Sequence, residues 1–331
     1  MLVMTKSVLA MMVSFIISIL IGYTLIPILK RFKASQVINR YLESTHSSKK
    51  NTPTMGGLIF IISTLLSIFM LCLTKKIVLN YNLIIVIFVF FSYGLIGFID
   101  DYLIIKRNNN KGLSENQKMI MQVIIAMIFF YFFMLAGHEP LFWIHTFNIK
   151  INIGWYYGLF ILFILVASSN AVNLTDGLDG LAAGLSVIAF LAFGLISWNT
   201  GWLNGYEEIA IFCFVLIGSL LGFLIFNSYP ARIFMGDTGS LSLGAVLGTI
   251  AILTRHELLL IVIGIVFVIE TLSVILQVTY FKITKGKRLF KMTPIHHALE
   301  KSGYKESSIV KLFWIIGLIG AMAAICFGIW L

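Results

Sequence analysis

Five aspartates are all that this 331-residue chain contains, and their spacing is its first chemical clue. Asp100 and Asp101 adjoin in GFIDD, Asp176 and Asp179 stand three apart in NLTDGLDG, and Asp237 lies in FMGDTGS. Each group borders a strongly apolar run. Carboxylates gathered at such borders suit a hard divalent cation, because Mg²⁺ takes carboxylate and phosphate oxygens rather than a cage of soft ligands. The substrate that goes with it is a phosphate ester. Gly177, Gly180, Gly236 and Gly239 stand among these acids, where small residues let backbone approach a bulky anion. The plain alternative is helix capping. Capping accounts for Asp237, which precedes an apolar run. It accounts poorly for Asp100 and Asp101, which follow one and would face the negative end of a helix dipole.

Two further segments carry reactive side chains. In THSSKKNTPTMGG, residues 45–57, Lys49 and Lys50 are candidates for holding phosphates, and Thr52 and Thr54 for donating hydrogen bonds beside Gly56-Gly57. The order G-x-x-x-x-G-K-[ST] is absent, which argues against an ATP-hydrolysing P-loop. In KMTPIHHALE, residues 291–300, His296 and His297 are adjacent. Neighbouring residues cannot both face one ion from one helix face and no cysteine joins them, so zinc is disfavoured. An imidazole that titrates near neutrality or hydrogen-bonds a phosphate is the better reading. Of the other histidines, His138, His145 and His256 read as interfacial or structural. Glu270, in FVIETLSVILQV, is the one acid deep inside an apolar run. It fits a transport pathway or a buried structural carboxyl equally well.

The elements that must position these groups follow from composition. The chain is 59% hydrophobic and 11% charged, against roughly 45–50% and about 25% for a soluble domain. That excludes a water-soluble globule. Apolar runs of about 17–25 residues centre near Ile17, Ser67, Val89, Met127, Leu162, Ala189, Val215, Gly248, Phe267 and Gly320. The fold class expected is an all-α polytopic membrane protein with about ten transmembrane helices, in a single domain spanning residues 1–331. Residues 7–29 are read as the first span rather than a secretory signal. The run from Glu257 to Phe281 exceeds one bilayer thickness and must tilt, bend or project. Residues 138–154 suggest a short interfacial helix or hairpin. Cys72, Cys213 and Cys326 each lie in an apolar stretch, so no disulfide framework is expected.

A formal charge of +10 raises the question of nucleic acid, yet no basic stripe interleaved with aromatics is present. Nineteen of the 24 Lys and Arg fall instead in the odd-numbered loops between spans. The positive-inside rule then places those loops in the cytoplasm and both termini on the extracytoplasmic side. All five aspartates border the same loops, although they played no part in the orientation.

NTPTMGG, GFIDDY, NAVNLTDGLDGLAAG, FMGDTGS with ELLLIVIGIVFVIETLSVILQV, and PIHH occur in this order on successive odd loops. Together they closely resemble the phospho-N-acetylmuramoyl-pentapeptide transferases, bacterial membrane enzymes of peptidoglycan synthesis, over residues 35–315. The resemblance implies an active site on the cytoplasmic loops of a multi-pass protein of the bacterial inner membrane. It implies Mg²⁺-dependent transfer of phospho-MurNAc-pentapeptide from UDP-MurNAc-pentapeptide to undecaprenyl phosphate, giving lipid I and UMP. By motif, Asp100 and Asp101 match the family's paired aspartates, with Asp100 the candidate for deprotonating the acceptor phosphate, and Asp237 matches the Mg²⁺ ligand. Asn173, Asp176 and Asp179 match residues lining the nucleotide-sugar pocket, Phe234 the aromatic that stacks on uracil, and His296 and His297 the histidine loop near the pyrophosphate. Lys49, Thr52 and Asn227 complete the expected substrate-binding set. A homodimer is a family-level expectation.

The family usually shows three consecutive histidines, and here Ala298 stands third. Two rivals remain. A related transferase acting on UDP-GlcNAc would share the aspartate motifs, but TPTMGG and PIHH favour the muramoyl-pentapeptide enzymes. A transporter or flippase using Glu270 would place its polar groups at the midplane rather than at one face. Direct attack and a covalent phospho-aspartyl route both remain open.

Overall fold

A computed structural model describes residues 2–32, 52–107, 112–144, 149–201, 203 and 205–329. Within them the helices are α1 Leu2–Arg31, α2 Gly57–Leu73, α3 Tyr81–Arg107, α4 Glu115–Leu135, α5 Tyr156–Thr175, α6 Leu181–Trp198, α7 Tyr206–Asn227 and α8 Gly236–Leu253. They continue as α9 Glu257–Ile263, α10 Ile265–Ile283, α11 Ile295–Lys301 and α12 Glu306–Ile329. Nine described helices are long and apolar enough to cross a bilayer, and α2, with 17 residues, is a shorter apolar helix. Nine of the ten runs read from the sequence coincide with one helix each, and the run from Glu257 to Phe281 covers two, α9 and α10. The chain is thus an all-α, multi-pass membrane protein.

Local chemistry sets several helix starts. Ser114 Oγ accepts from Gln117 N at 3.3 Å while Ser114 N donates to Gln117 Oε1 at 3.0 Å, a capping box that fixes the first turn of α4. Asn80 Oδ1 accepts from Leu83 N at 2.9 Å and starts α3. The long run from Glu257 bends, as its length requires. It breaks at Gly264 into α9 and α10, at a residue whose Cβ would lie only 2.8 Å from the Leu260 carbonyl.

Helices α7 and α8 form the centre of the bundle: 83% and 89% of their apolar windows are buried, against 22% for α10. In lipid, association relies on close packing and interhelical hydrogen bonds rather than on hydrophobic burial. Gly244 and Gly248, four apart on α8, face Ser168, Ser169 and Ile164 of α5 so closely that a Cβ would meet the Ser168 carbonyl. Helix α1 is tied to α7 by Ser14 Oγ to Val215 O and Ser18 Oγ to Ser219 O, both 2.7 Å.

Between α4 and α5 the chain forms a hairpin rather than a helix. Strand β1, Leu141–Ile144, pairs antiparallel with β2, Ile149–Asn152, in the register Leu141↔Asn152 and Trp143↔Lys150. His145 and Phe147 lie outside the described residues. Arg255, after α8, anchors the base of the hairpin. Its guanidinium donates to Glu139 O at 2.6 Å, Leu141 O at 2.7 Å and Tyr157 Oη at 3.0 Å. Nearby, burial and the Arg255 charge lower the His138 pKa to about 4, so His138 is neutral at physiological pH and bonds Asn82 Oδ1 at 2.7 Å. Arg255→Met strands two carbonyls and is expected to cost about 2 kcal/mol. The check is thermal unfolding in detergent, and an unchanged midpoint contradicts the anchoring role.

Candidate active site

The site lies where α3, α5 and α7 end and α4, α6, α8 and α12 begin. Its keystone is Asp101. The carboxylate stands badly for its own helix but caps another: Oδ1 accepts from Asp237 N at 3.2 Å, and Oδ2 from Thr238 N at 3.0 Å and Thr238 Oγ1 at 2.6 Å. Buried at the N-terminus of α8, Asp101 satisfies donors that have no partner within that helix. Gly97, one turn earlier on the same face of α3, makes the approach possible, since a Cβ there would meet the Asp237 carbonyl and Thr238 N. Gly97→Ala is expected to displace the α8 terminus and lower turnover by about 100-fold, and near-normal turnover of the variant would contradict that packing argument.

With its backbone held by Asp101, Asp237 turns its carboxylate to Asn173 and Lys118. Asp237 Oδ1 accepts from Asn173 Nδ2 at 2.9 Å, and Asn173 Nδ2 also reaches Ser240 Oγ at 2.9 Å. Asp237 Oδ2 pairs with Lys118 Nζ at 3.0 Å, and the same ammonium pairs with Asp100 Oδ1 at 3.0 Å. Asp100 Oδ1 further accepts from Leu113 N at 2.7 Å. The Asp237 side chain is 25% exposed and that of Asp100 only 4%. Asp237 is therefore the more accessible carboxylate of the pair.

Asp176 lies just past the end of α5. Burial, then the negative charges of Asp237, Asp101 and Asp179, raise its pKa well above the ordinary carboxylate range, against the pull of the Gly236 N–H. The cluster is short of positive charge. Asp179 Oδ2 accepts from Ala231 N at 2.9 Å, and Asp179 N donates to Glu306 Oε1 at 2.8 Å. Asn227 accepts from Gly180 N at 3.2 Å and donates to Ile233 O at 2.9 Å. Both side chains therefore brace the loop that carries Phe234. Phe234 N donates to Pro53 O and Gly56 N to Phe234 O, each at 2.8 Å, which lays the TPTMGG segment along the FMGD segment. Thr52 is half-buried at this seam, and the buried Thr54 Oγ1 makes no hydrogen bond. Lys49 falls outside the described residues.

The histidines approach from α11. His296 is fully buried, its Nδ1 3.1 Å from Glu270 Oε2 in α10, and its Nε2 lies against Gly177, beside Asp176, without a hydrogen-bond partner. His297 Nδ1 lies 2.7 Å from Glu300 Oε2, and the two imidazoles stand 4.1 Å apart. Glu270 thus belongs to the support of the histidine segment. Ala298, in the third position, is half-buried.

Does this site suit Mg²⁺? Among the described residues no three His, Cys, Asp or Glu side chains converge as a complete ligand set. Mg²⁺ does not require one, since it is commonly held by one or two carboxylates with substrate phosphates and water. The Lys118 ammonium sits between Asp100 and Asp237, where two carboxylates can share a cation. The charge imbalance at Asp176 also favours added positive charge. The donor set fits.

Sequence reasoning found the acids, Asn173 and the histidine pair, but missed Lys118 and Thr238. Lys118 stood among the loop cations that orient the chain, and its one local signal was the capping box at Ser114 that starts its helix. Thr238 adjoins Asp237, but its bond to Asp101 is tertiary.

Comparison with known proteins bears on the same segments. Residues 83–255 match the family model described as glycosyl transferase family 4, and residues 49–61 match phospho-N-acetylmuramoyl-pentapeptide-transferase signature 1. A phospho-N-acetylmuramoyl-pentapeptide-transferase of Geobacillus sp. (strain WCH70) is 45% identical over 325 residues, covering 98% of each chain. One from Listeria monocytogenes serotype 4b (strain F2365) is 47% identical over 319 residues, 95% of each. One from Bacillus licheniformis is 44% identical over 317 residues, 96% of each. With relatives this similar over nearly its whole length, the chain belongs to the phospho-N-acetylmuramoyl-pentapeptide transferase family and is a membrane-embedded glycosyl-1-phosphate transferase.

Proposed function

We propose that this transferase moves phospho-MurNAc-pentapeptide from UDP-MurNAc-pentapeptide to undecaprenyl phosphate, with Mg²⁺, at the cytoplasmic face of the bacterial inner membrane. The products are lipid I and UMP. The observation that carries the reading is the meeting of Asp100, Lys118 and Asp237 at one end of the bundle, beside the seam of the TPTMGG and FMGD segments. That end carries most of the basic loops, which supports a cytoplasmic site with both termini outside.

Phosphoryl transfer asks a protein mainly for positioning and charge stabilisation. Asp237 and Asp100 are the residues that would hold Mg²⁺, which when bound neutralises the diphosphate oxygens. Asn173 orients the Asp237 carboxylate, and Asp101 fixes the turn from which it projects. Lys118 supplies an ammonium to the phosphates. Asp100 orients the acceptor phosphate and takes its proton when one is present. Phe234 offers its ring to uracil, while Asp176, Thr52 and His297 line the nucleotide-sugar side. His296 acts from its buried seat on Glu270.

The test is UMP release by the purified protein with undecaprenyl phosphate, run in parallel with UDP-MurNAc-pentapeptide and UDP-GlcNAc. Release from the muramoyl substrate alone is expected. Release from UDP-GlcNAc alone would transfer the chain's specificity to the sister class of transferases.

A further inference from the structure

Lys118 bridges two carboxylates from two different helices. Its Nζ lies 3.0 Å from Asp100 Oδ1 of α3 and 3.0 Å from Asp237 Oδ2 of α8, and among the described residues it is the one cation that pairs with either. The backbone behind it is fixed. Lys118 N donates to Ser114 O at 3.0 Å in the first turn of α4, and Leu113 N donates to Asp100 Oδ1 at 2.7 Å, which ties that turn to α3. The ammonium is held less firmly than its backbone. It stands on a flexible four-carbon stem, its side chain is 29% exposed, and two of its three protons account for both of its protein partners.

The carboxylates have supports of their own. Asp237 Oδ1 accepts from Asn173 Nδ2 at 2.9 Å, and Asp101 Oδ1 accepts from Asp237 N at 3.2 Å. Withdrawing the ammonium would therefore leave both acids in place and uncompensated, with Asp101 and Asp176 in electrostatic reach of Asp237. A dication drawn to these oxygens meets the ammonium on the same two atoms, and like charges repel. The two compete. An anionic diphosphate resolves the competition, because it can accept the ammonium while its oxygens serve as further ligands for a hard cation.

We propose that Lys118 is an exchangeable countercation, which occupies Asp100 and Asp237 until a nucleoside diphosphate takes up its ammonium and frees both carboxylates for a divalent cation. Metal and nucleotide then bind cooperatively, and by linkage each raises the affinity for the other by the same factor. A lysine that served folding alone would show no such coupling. The inference rests on the proposed reading of Asp100 and Asp237 as metal-holding residues and extends it to the interdependence of metal and nucleotide binding.

The experiment is a Mn²⁺ titration of the full-length protein in detergent, with free Mn²⁺ read by electron paramagnetic resonance, in the presence of UDP, of uridine and of neither. No acceptor lipid is added, so nothing turns over. One neighbouring charge changes the affinity of a carboxylate for a cation by about tenfold or more. UDP, after allowance for Mn²⁺ held by free UDP, should therefore tighten Mn²⁺ binding at least about tenfold, and uridine should not. Without nucleotide, Lys118→Met should bind Mn²⁺ about tenfold more tightly than the parent chain and lose most of the UDP effect. Lys118→Arg keeps the charge and should bind no more tightly than the parent. Equal affinity in the parent with and without UDP, or in the parent and Lys118→Met, would overturn the proposal, and the first comparison stands even if the variant does not fold. So would a Lys118→Arg variant that binds as tightly as Lys118→Met. Asp237→Asn separates the inference from the reading beneath it. It should abolish Mn²⁺ binding, and binding that survives it would overturn both. Binding that Asp237→Asn abolishes but Lys118→Met leaves unchanged would overturn the exchange alone.

Discussion

Asp237→Asn is expected to lower UMP release by about a thousandfold while leaving the thermal unfolding midpoint nearly unchanged. The carboxylate is a quarter exposed and bonds Lys118 and Asn173. An isosteric amide keeps the packing, and the backbone N–H held by Asp101 is untouched. What it removes is one of the two charges that flank Lys118 and that would hold a divalent cation. The loss should therefore appear in turnover, and added Mg²⁺ should recover little of it. A variant within tenfold of the parent chain would remove Asp237 from the chemistry.

The adjacent aspartates should separate. Asp100→Asn keeps an oxygen for Leu113 N and loses the ion pair with Lys118. Turnover should fall about a hundredfold with little effect on folding. Asp101→Asn presents an NH₂ where the carboxylate accepted from Asp237 N, Thr238 N and Thr238 Oγ1. A buried donor then faces donors, and the variant should lose about 2–3 kcal/mol of stability. Measuring turnover and unfolding for both variants gives the check. Equal stability losses, or a stable Asp101→Asn with full turnover, would contradict the division between a charge-bearing Asp100 and a positioning Asp101.

That division shows where sequence reading stops. Run length exposes the helices because each apolar run is continuous and bounded by polar loops, and the run from Glu257, too long for one crossing, calls for a tilt, a bend or a projection without locating the break at Gly264. The hairpin at residues 141–152 is not separable from a short helix by sequence, because alternation over so few residues does not decide between them. Asp101 looked misplaced at the C-terminal end of α3. Its partner lies 136 positions away on α8, and no local rule connects them. Lys118 was hidden for a similar reason: a cation at a membrane boundary serves the orientation rule and the site at once. Glu270 posed the opposite problem. Its depth in a span fits a transport pathway and a buried structural carboxyl equally well, and only the backward fold of the segment after α10, which brings His296 onto it, separates the two. Asp179 and Asn227 were read as substrate residues by motif, and their bonds brace the loop around Phe234.

In the proposed reaction the Asp100–Lys118–Asp237 cluster is a metal-assisted phosphoryl-transfer centre. Its most direct test is UMP release from UDP-MurNAc-pentapeptide by chelator-treated protein with undecaprenyl phosphate, as Mg²⁺ is titrated back. No release is expected without the cation, a saturable rise with it, and no such rise in Asp237→Asn. Release that is complete without a divalent cation, or a titration curve that Asp237→Asn leaves unchanged, would contradict it.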